Sequence, residues 1–437
     1  MKKIISALTL GAMIAGAAFA DVSINLNFRQ RANLYTTTGG EGLKATKTAL
    51  FTDAYSGNGS DNLAISLSGD IVAFDMQLVT DQAATNKWRS KSFRGTVFLG
   101  PVELFGGLWA DGKLNGAYRT KTDVDAGNIE GMDFEFKKLG SAYGKSPSFF
   151  CDNLVQPVNG KGESYALGAT YKLGLDNGAV NFNAAYVTNA TSEEKSADAS
   201  GSLQGHGFAL IADGRMDGLG QAELVFKYGQ SAIKESVVKT DGNAKVFVPA
   251  MAFGLYAQPS ITRALILTVG GAGSVVDSKF TDYSVDLRAR YQAIPKKLSI
   301  TSFHSYSALT DDGAKILSNA TTKGLADAAA VTNGKCGGTA INRDQILTNN
   351  LMVRYNVNDT LSVFGIVADM IGMGDNKGVK VDDSIVQLRA SLWSQFYADK
   401  NNSVAVGLVY SSHNFTDAND GKAVNMIAIP VIFRVKM

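Results

Sequence analysis

Cysteine and histidine are scarce in this sequence, with two and three residues in a chain of 437. Two cysteines in that length cannot form the framework of a disulfide-rich domain. The sequence contains neither an H-E-x-x-H nor a C-x-x-C motif, and those spacings are the usual marks of protein-bound metals. We therefore expect no metal site and no cofactor.

An excess of charge of one sign is also lacking. The chain has 42 Lys and Arg against 40 Asp and Glu, a formal net charge of +2. Lys2 and Lys3 lie in the leader described next, and their removal leaves equal numbers of basic and acidic residues. This balance disfavours a nucleic-acid partner, which would need a strongly basic surface.

The first 20 residues have the three parts of a secretory signal peptide. Lys2 and Lys3 form a positive start, residues 4–16 are apolar, and Ala18-Phe19-Ala20 is a small-residue cleavage site. The sequence thus predicts a cleaved leader over residues 1–20, export of the chain, and a single mature domain over residues 21–437.

Long hydrophobic runs are missing after residue 20. A helix that spans a membrane needs about 20 mostly apolar residues, whereas the longest later runs, such as 264–269 and 427–433, have the length of strands. Since only a closed barrel crosses a bilayer without helices, the exported chain is either soluble or a β-barrel.

The sequence does contain many segments in which apolar and polar residues alternate, a hydrophobic period of two residues. Val22, Ile24 and Phe28 alternate with polar residues at the mature N-terminus, as in a strand with one apolar and one polar face. Asn177-Gly178 separates two further alternating segments, and Asn-Gly is a preferred sequence for a tight hairpin turn. We count 18 such segments, and their boundaries also allow 16. They span residues 22–35, 62–69, 71–79, 92–99, 101–110, 164–174, 179–188, 206–216, 221–229, 246–257, 263–271, 282–293, 298–307, 348–357, 361–369, 384–393, 403–411 and 424–436.

A soluble sandwich and a transmembrane barrel both use strands of this kind. Short connections alternate with long ones along the chain, which favours a barrel with short periplasmic turns on one rim and long outer loops on the other. Tyrosines near the ends of the apolar stripes, such as Tyr171 and Tyr410, suit the aromatic girdles of such a barrel. The long connections are 36–61, 80–91, 111–163, 189–205, 230–245, 272–281, 308–347, 370–383 and 412–423.

Charged residues in the middle of strands alternate with the apolar stripe, and a water-filled lumen would accept them. Basic residues outnumber acidic ones in this set, which predicts a mild preference for anions. The candidate pore-lining residues are Arg29, Arg31, Asp75, Glu103, Lys172, Glu223, Asp286, Arg288, Arg290, Arg354 and Arg389.

The alternating segments, the unequal connections and the C-terminal segment resemble those of bacterial outer-membrane porins, in particular the major outer-membrane, outer-sheath type porins of spirochaetes. Ile429, Val431, Phe433 and Val435 alternate to the chain end, as in the barrel-assembly signal of outer-membrane proteins, although Met437 replaces the usual terminal aromatic residue. The resemblance implies an outer-membrane β-barrel that lets ions and small hydrophilic solutes diffuse passively. It also implies that the third long connection, residues 111–163, folds into the lumen; an outward surface loop is the alternative.

Cys151 and Cys336 fall in two of the long connections. An exported protein meets oxidising conditions, so a disulfide between them would pin residues 111–163 across the pore. Two unpaired thiols are the alternative, because the sequence does not give the Cα separation that a disulfide requires.

An enzyme is not expected. A lipase barrel needs a His-x-Ser spacing and an orienting Asn, but Ser302-x-His304 runs in the reverse order, and the sequence identifies no orienting partner for any histidine. We expect a porin in the outer membrane, with lipid, ions and small solutes as partners and a homo-trimer as its assembly. A surface adhesin or structural barrel, and a soluble exported sandwich, are the other interpretations.

Overall fold

The computed structural model describes residues 21–40, 47–55, 62–81, 87–108, 165–188, 206–234, 245–312, 345–373, 384–399, 401–413 and 424–437. Their architecture is almost entirely β, and within these ranges no helix is long and apolar enough to cross a membrane. The strands are β1 Asp21–Gly40, β2 Lys47–Tyr55, β3 Asn62–Ser68, β4 Val72–Asp81, β5 Lys87–Leu99, β6 Val102–Leu108, β7 Tyr165–Leu175, β8 Gly178–Thr188, β9 His206–Met216, β10 Gly220–Lys234, β11 Lys245–Pro259, β12 Leu265–Val276, β13 Lys279–Ile294, β14 Leu298–Leu309, β15 Gln345–Asn356, β16 Leu361–Met373, β17 Ser384–Tyr397, β18 Ser403–His413 and β19 Val424–Lys436.

Nineteen strands form a ring of 18, because β2 and β3 share one position. Both run antiparallel to β1: β3 pairs with residues 21–27 of β1 and β2 pairs with residues 31–38. They therefore form two parts of one interrupted strand. The predicted count of 18 is confirmed, and the lower count of 16 is wrong.

The sheet is closed. Each strand from β3 to β19 pairs antiparallel with its neighbour in sequence, and β19 returns to pair with β1 from Asn27 to Gly40. A single closed sheet excludes the two-sheet sandwich that the sequence left open.

The two rims differ as the sequence predicts, with two corrections. Every connection on the rim that carries the β3–β4 and β17–β18 turns has five residues or fewer. On the other rim, the connection predicted over 272–281 is a two-residue turn, Asp277-Ser278, between β12 and β13. Both residues have positive φ, 51° and 62°, as in a type I′ hairpin turn. In the connection predicted over 36–61, the segment Lys47–Tyr55 is the strand β2.

Pro430 lies where the sheet ladder is irregular. The β18–β19 register passes from Val406↔Val431 to Val409↔Ala428 without paired residues between them. On the other side of β19, β1 shifts register just after Asn33, which is opposite Pro430. A proline cannot donate a ladder hydrogen bond, so these irregularities allow it inside a strand.

Candidate functional site: the lumen

Strand β17 shows which face of the sheet points inward. Arg389, Trp393 and Gln395 are at most 1 % exposed, whereas Leu392 and Phe396 are 58 % and 52 % exposed. Strands of a membrane barrel alternate apolar outward residues with polar inward ones, so we assign the set that contains Arg389 and Gln395 to the lumen. Among the described residues, the exposed large hydrophobic side chains of the ring are mainly Leu, Val, Ile, Phe and Tyr, such as a lipid-facing wall has.

Eight of the sequence-predicted residues lie in the inward phase of their strands. They are Asp75, Glu103, Lys172, Glu223, Arg288, Arg290, Arg354 and Arg389. The backbones of Arg29, Arg31 and Asp286 belong to β1 and β13, but their side chains lie outside the described residues. Cys151, Cys336 and the connection 111–163 also lie outside them.

Three carboxylates line one side of the ring, which we call the acidic wall: Glu103 on β6, Asp213 on β9 and Glu223 on β10. Glu103 and Glu223 are only 4 % and 3 % exposed. Glu103 forms an ion pair with Lys172 of the neighbouring strand β7. Asp213 and Glu223 face each other directly in the β9–β10 register.

A hydrogen-bond network holds Asp213 in place. Asn181 Nδ2 donates to Asp213 Oδ2 at 2.9 Å, and Asn183 Nδ2 donates to Oδ1 at 3.3 Å. Thr170 Oγ1 donates in turn to Asn183 Oδ1 at 2.7 Å. The network spans three strands and keeps a carboxylate on the inner surface with both oxygens bonded, which lowers the cost of burying it.

A second matched ion pair lies between β4 and β5. Asp75 and Arg94 are opposite each other in the register, and Arg94 Nη2 lies 2.7 Å from Asp75 Oδ2. Arg94 was not among the predicted residues, although its position two residues before the inward Thr96 gives the same phase.

Arginines line the other side of the ring, which we call the arginine wall. It consists of Arg288 and Arg290 on β13, Arg354 on β15, Arg389 on β17 and Arg434 on β19. In the ring of 18, β17 lies nine positions from β8 and thus opposite the middle of the acidic wall. The inner surface is therefore polarised across its width.

Arg354 shows how such a guanidinium is held. Its Nη2 donates to Ser362 Oγ at 3.1 Å and to Tyr397 Oη at 3.2 Å. The guanidinium carbon lies 5.9 Å from the centre of the Tyr397 ring, within the range of a cation–π interaction. Hydrogen bonds and ring contact together fix the direction of the charge.

Between these arginines lies an apolar cluster that the sequence analysis missed. The rings of Phe364 and Trp393 stack with centroids 6.3 Å apart. We expected inward positions to be polar, whereas here they are aromatic and aliphatic. A signal was present, because both faces of the segment 361–369 are apolar. This lumenal apolar cluster comprises Phe303, Met352, Phe364, Ile366, Trp393, Ala405, Val409 and Ile432.

His304 has the orienting partner that the sequence did not reveal. On the outward face, His304 Nδ1 lies 2.8 Å from Asn349 Oδ1, and Asn349 Nδ2 donates to Asp369 Oδ1 at 2.8 Å. Ser302 shares this face, but within the described ranges no hydrogen bond joins it to His304. A nucleophile bonded to its base is the mark of a serine hydrolase site, and this arrangement does not have it. In the same ranges, no group of three or more His, Cys, Asp or Glu is placed to hold a metal.

Comparison with known proteins supports the architecture. No family model and no curated protein sequence matches the chain. Among solved structures, Pseudomonas aeruginosa OccK3 (OpdO) matches with a TM-score of 0.50 at 11% identity, covering 97% of each chain. This similarity shows the fold. Pseudomonas aeruginosa OccK11 (OpdR) matches with a TM-score of 0.46 at 12% identity over 96% of this chain and 97% of its own. OmpT, an outer membrane protein of Vibrio cholerae, matches with a TM-score of 0.38 at 10% identity over 94% and 97%.

Proposed function

We propose that this chain is an outer-membrane porin through which ions and small hydrophilic solutes diffuse passively. The observation that carries the proposal is the closed 18-strand ring with an apolar outward band and charged residues on the inward face. A ring of this size encloses enough space for an aqueous channel, and only lipid matches an outward band of this composition.

The proposed location follows from the same band and from the leader predicted over residues 1–20. Outer-membrane lipid is the proposed partner of the outward band, and a homo-trimer stays a prediction. The narrower resemblance to spirochaete outer-sheath porins also stays a prediction.

A preference for anions is the proposed selectivity. The acidic wall has three carboxylates, but two cations lie on the same side of the ring: Lys172 on β7, which is paired with Glu103, and Arg215 on β9. The arginine wall has five guanidinium groups. The described inward surface therefore has a positive excess, and a positive lumen attracts anions and repels cations.

Planar-bilayer recordings in a salt gradient test both parts of the proposal. We expect residues 21–437 to give stepwise openings with a reversal potential of the sign that anions produce. Arg354→Gln removes one positive charge from the lumen, so we expect the reversal potential to move toward cation selectivity. Lys279→Gln is the control. It also removes one positive charge, but at the long-loop rim, where Lys279 pairs with Asp312 at 3.6 Å, so the reversal potential should change less.

Other results would overturn the proposal. A folded, detergent-bound barrel that never conducts would support the adhesin or structural interpretation, in which the long connections bind ligands. A reversal potential of cation sign would leave the channel intact and contradict the selectivity. For a barrel that conducts, solute-swelling assays with sugars of graded size would measure the width of the lumen.

The connection 111–163 is proposed to narrow that lumen. It is the longest in the sequence, and it leaves the ring between β6 and β7, beside the acidic wall. Deleting most of it should raise single-channel conductance if it folds inward. Unchanged conductance would instead support the outward loop that the sequence also allowed.

A further inference from the structure

Three buried side chains of the lumenal wall have polar atoms without a hydrogen-bond partner among the described residues. They are Asn350 on β15 and Ser391 and Trp393 on β17, which are 1 %, 8 % and 0 % exposed. The unpaired atoms are Oδ1 and Nδ2 of Asn350, Oγ of Ser391 and Nε1 of Trp393. A buried polar group that has neither water nor a protein partner destabilises the fold. Four such atoms on one wall therefore indicate a ligand that the empty barrel lacks.

The sheet register places these three side chains on one patch of the inward face. Asn350 is opposite Ala368 of β16, which is in turn opposite Arg389 of β17. Ser391 and Trp393 follow Arg389 at steps of two residues and share its phase. From the strand spacing and the rise per residue, the Cα atoms of Asn350 and Ser391 are about 12 Å apart. The short side chain of Ala368 between the two strands leaves the wall low at this point.

The same patch includes the lumenal apolar cluster with its two stacked rings. The planes of Phe364 and Trp393 are inclined by only 10°. The benzene half of the indole lies over Gly407, so the Nε1–H group is on the half of the ring farther from that glycine. Apolar surface beside a few hydrogen-bonding groups is the usual composition of a site for a small molecule.

The chemistry of the unpaired atoms indicates a neutral ligand. The nearby guanidinium groups already have partners: Arg354 donates to Ser362 and Tyr397, and Arg389 has a partner of its own. The unpaired groups are an amide, a hydroxyl and an indole N–H, and none of them is charged. An anion only accepts hydrogen bonds, so it would leave the Asn350 amide oxygen unpaired. A ligand that both donates and accepts would satisfy all three side chains.

We infer that this patch of the lumenal wall binds a neutral sugar. Its hydroxyl groups both donate and accept, so they pair with the Asn350 amide and the Ser391 hydroxyl and accept from Trp393 Nε1. The C–H face of a sugar ring packs on the lumenal apolar cluster. The extent of the patch, about 12 Å from Asn350 to Ser391, suits a disaccharide. The inference rests on the proposed function, because the patch lies on the path of the diffusing solutes.

Maltose added to planar bilayers that contain residues 21–437 tests the site. The three side chains are closed to bulk water, so a bound sugar should exchange slowly and give resolved interruptions of the single-channel current. The frequency of these interruptions should saturate with maltose concentration. A polyethylene glycol of similar mass has no hydroxyl groups along its chain to donate to the Asn350 oxygen, and it should not saturate. Isothermal titration of the detergent-solubilised barrel measures the maltose affinity independently of conduction.

Variants with nearly unchanged shape separate binding from stability. Asn350→Leu removes the amide, so the maltose affinity should fall about tenfold, whereas the urea midpoint of unfolding should rise because no unpaired amide is buried. Trp393→Phe keeps an aromatic ring and removes the N–H group, and the affinity should fall about fivefold. Thr96→Val is the control: it removes a buried inward hydroxyl on β5, away from the patch, and should leave the affinity unchanged. Heat-modifiable mobility in gels confirms that each variant folds.

Equal maltose affinity of Asn350→Leu and the unaltered chain would overturn the inference. So would a lower urea midpoint of Asn350→Leu, because the amide would then have a partner in the empty barrel and a purely structural role. Conductance on the same preparations distinguishes the two proposals: a barrel that conducts but does not bind maltose contradicts only the sugar site. A chain that neither binds maltose nor conducts contradicts the proposed function as well.

Discussion

Trp393 and Gly407 are a residue pair on which the lumenal apolar cluster depends. They are opposite each other in the β17–β18 register, and the indole ring lies directly over the glycine. A Cβ atom at Gly407 would come within 2.6 Å of the ring. Trp393 is fully buried, so the ring has no free space to move into. The glycine is required here by close approach and not by its backbone angle.

Gly407→Val should therefore destabilise the barrel by about 1–3 kcal/mol, the usual effect of overpacking a filled interior. The measurement is the urea midpoint of unfolding, followed by heat-modifiable gel mobility. Gly174→Val is the matched control, because nothing lies within 4 Å of a Cβ atom at Gly174, and its midpoint should stay unchanged. Equal shifts of the urea midpoint in the two variants would show that contact with Trp393 is not the reason for the loss of stability.

The sequence indicates a phase for the charged residues, and their pore-lining role stays a prediction, but it does not reveal what surrounds them. Glu103 and Arg389 are buried in the inward phase of their strands. Phe303 and Met352 are inward too, but an apolar residue gives no sign of which face it occupies when both faces are apolar. The contact between His304 and Asn349 could not be predicted either, because the two residues are 45 positions apart and meet only through the β14–β15 register.

At the scale of elements, the Asp277-Ser278 turn shows why the connections were only partly predictable. Both residues adopt positive φ, a conformation that Asn-Gly adopts readily and that Asp-Ser adopts at a cost. Without the usual turn sequence, residues 272–281 gave the appearance of a long loop. The β7–β8 hairpin predicted from Asn177-Gly178 is present, but its two turn residues are Asp176 and Asn177, and Gly178 is the first residue of β8.

Ser278→Gly should stabilise the β12–β13 hairpin by about 1 kcal/mol, because glycine adopts positive φ without the steric penalty of a Cβ atom. We expect a higher urea midpoint and unchanged conductance. Ser278→Ala keeps the Cβ atom and should leave the midpoint close to that of the unaltered chain. A gain as large in Ser278→Ala would mean that the hydroxyl, and not the backbone, limits the turn.

At the scale of the whole molecule, the two cysteines belong to connections on the same rim. The connection that holds Cys151 follows β6, and the one that holds Cys336 follows β14, eight strands further along the ring. A disulfide between them would cross the mouth of the barrel and link its two sides. This pairing stays a prediction, because both residues lie outside the described ranges.

A thiol assay on unreduced, denatured protein tests the pairing. We expect no reactive thiol before reduction and two afterwards, and a Cys151→Ser variant that exposes one thiol without reduction. If the bond limits the movement of the loops, reduction should also increase current fluctuations in the bilayer. Two reactive thiols in the unreduced chain would rule the disulfide out.

Closure of the ring by β1 and β19 governs the order of folding. Asn27 pairs with Lys436, so the β1–β19 pairing joins residues more than 400 positions apart in the sequence. Before that contact forms, the growing sheet has two unpaired edges that can pair with another chain. Contacts this distant in sequence form slowly, because a long loop must close first. Closure therefore waits for the last strand, and until then both edges stay open to pairing with another chain.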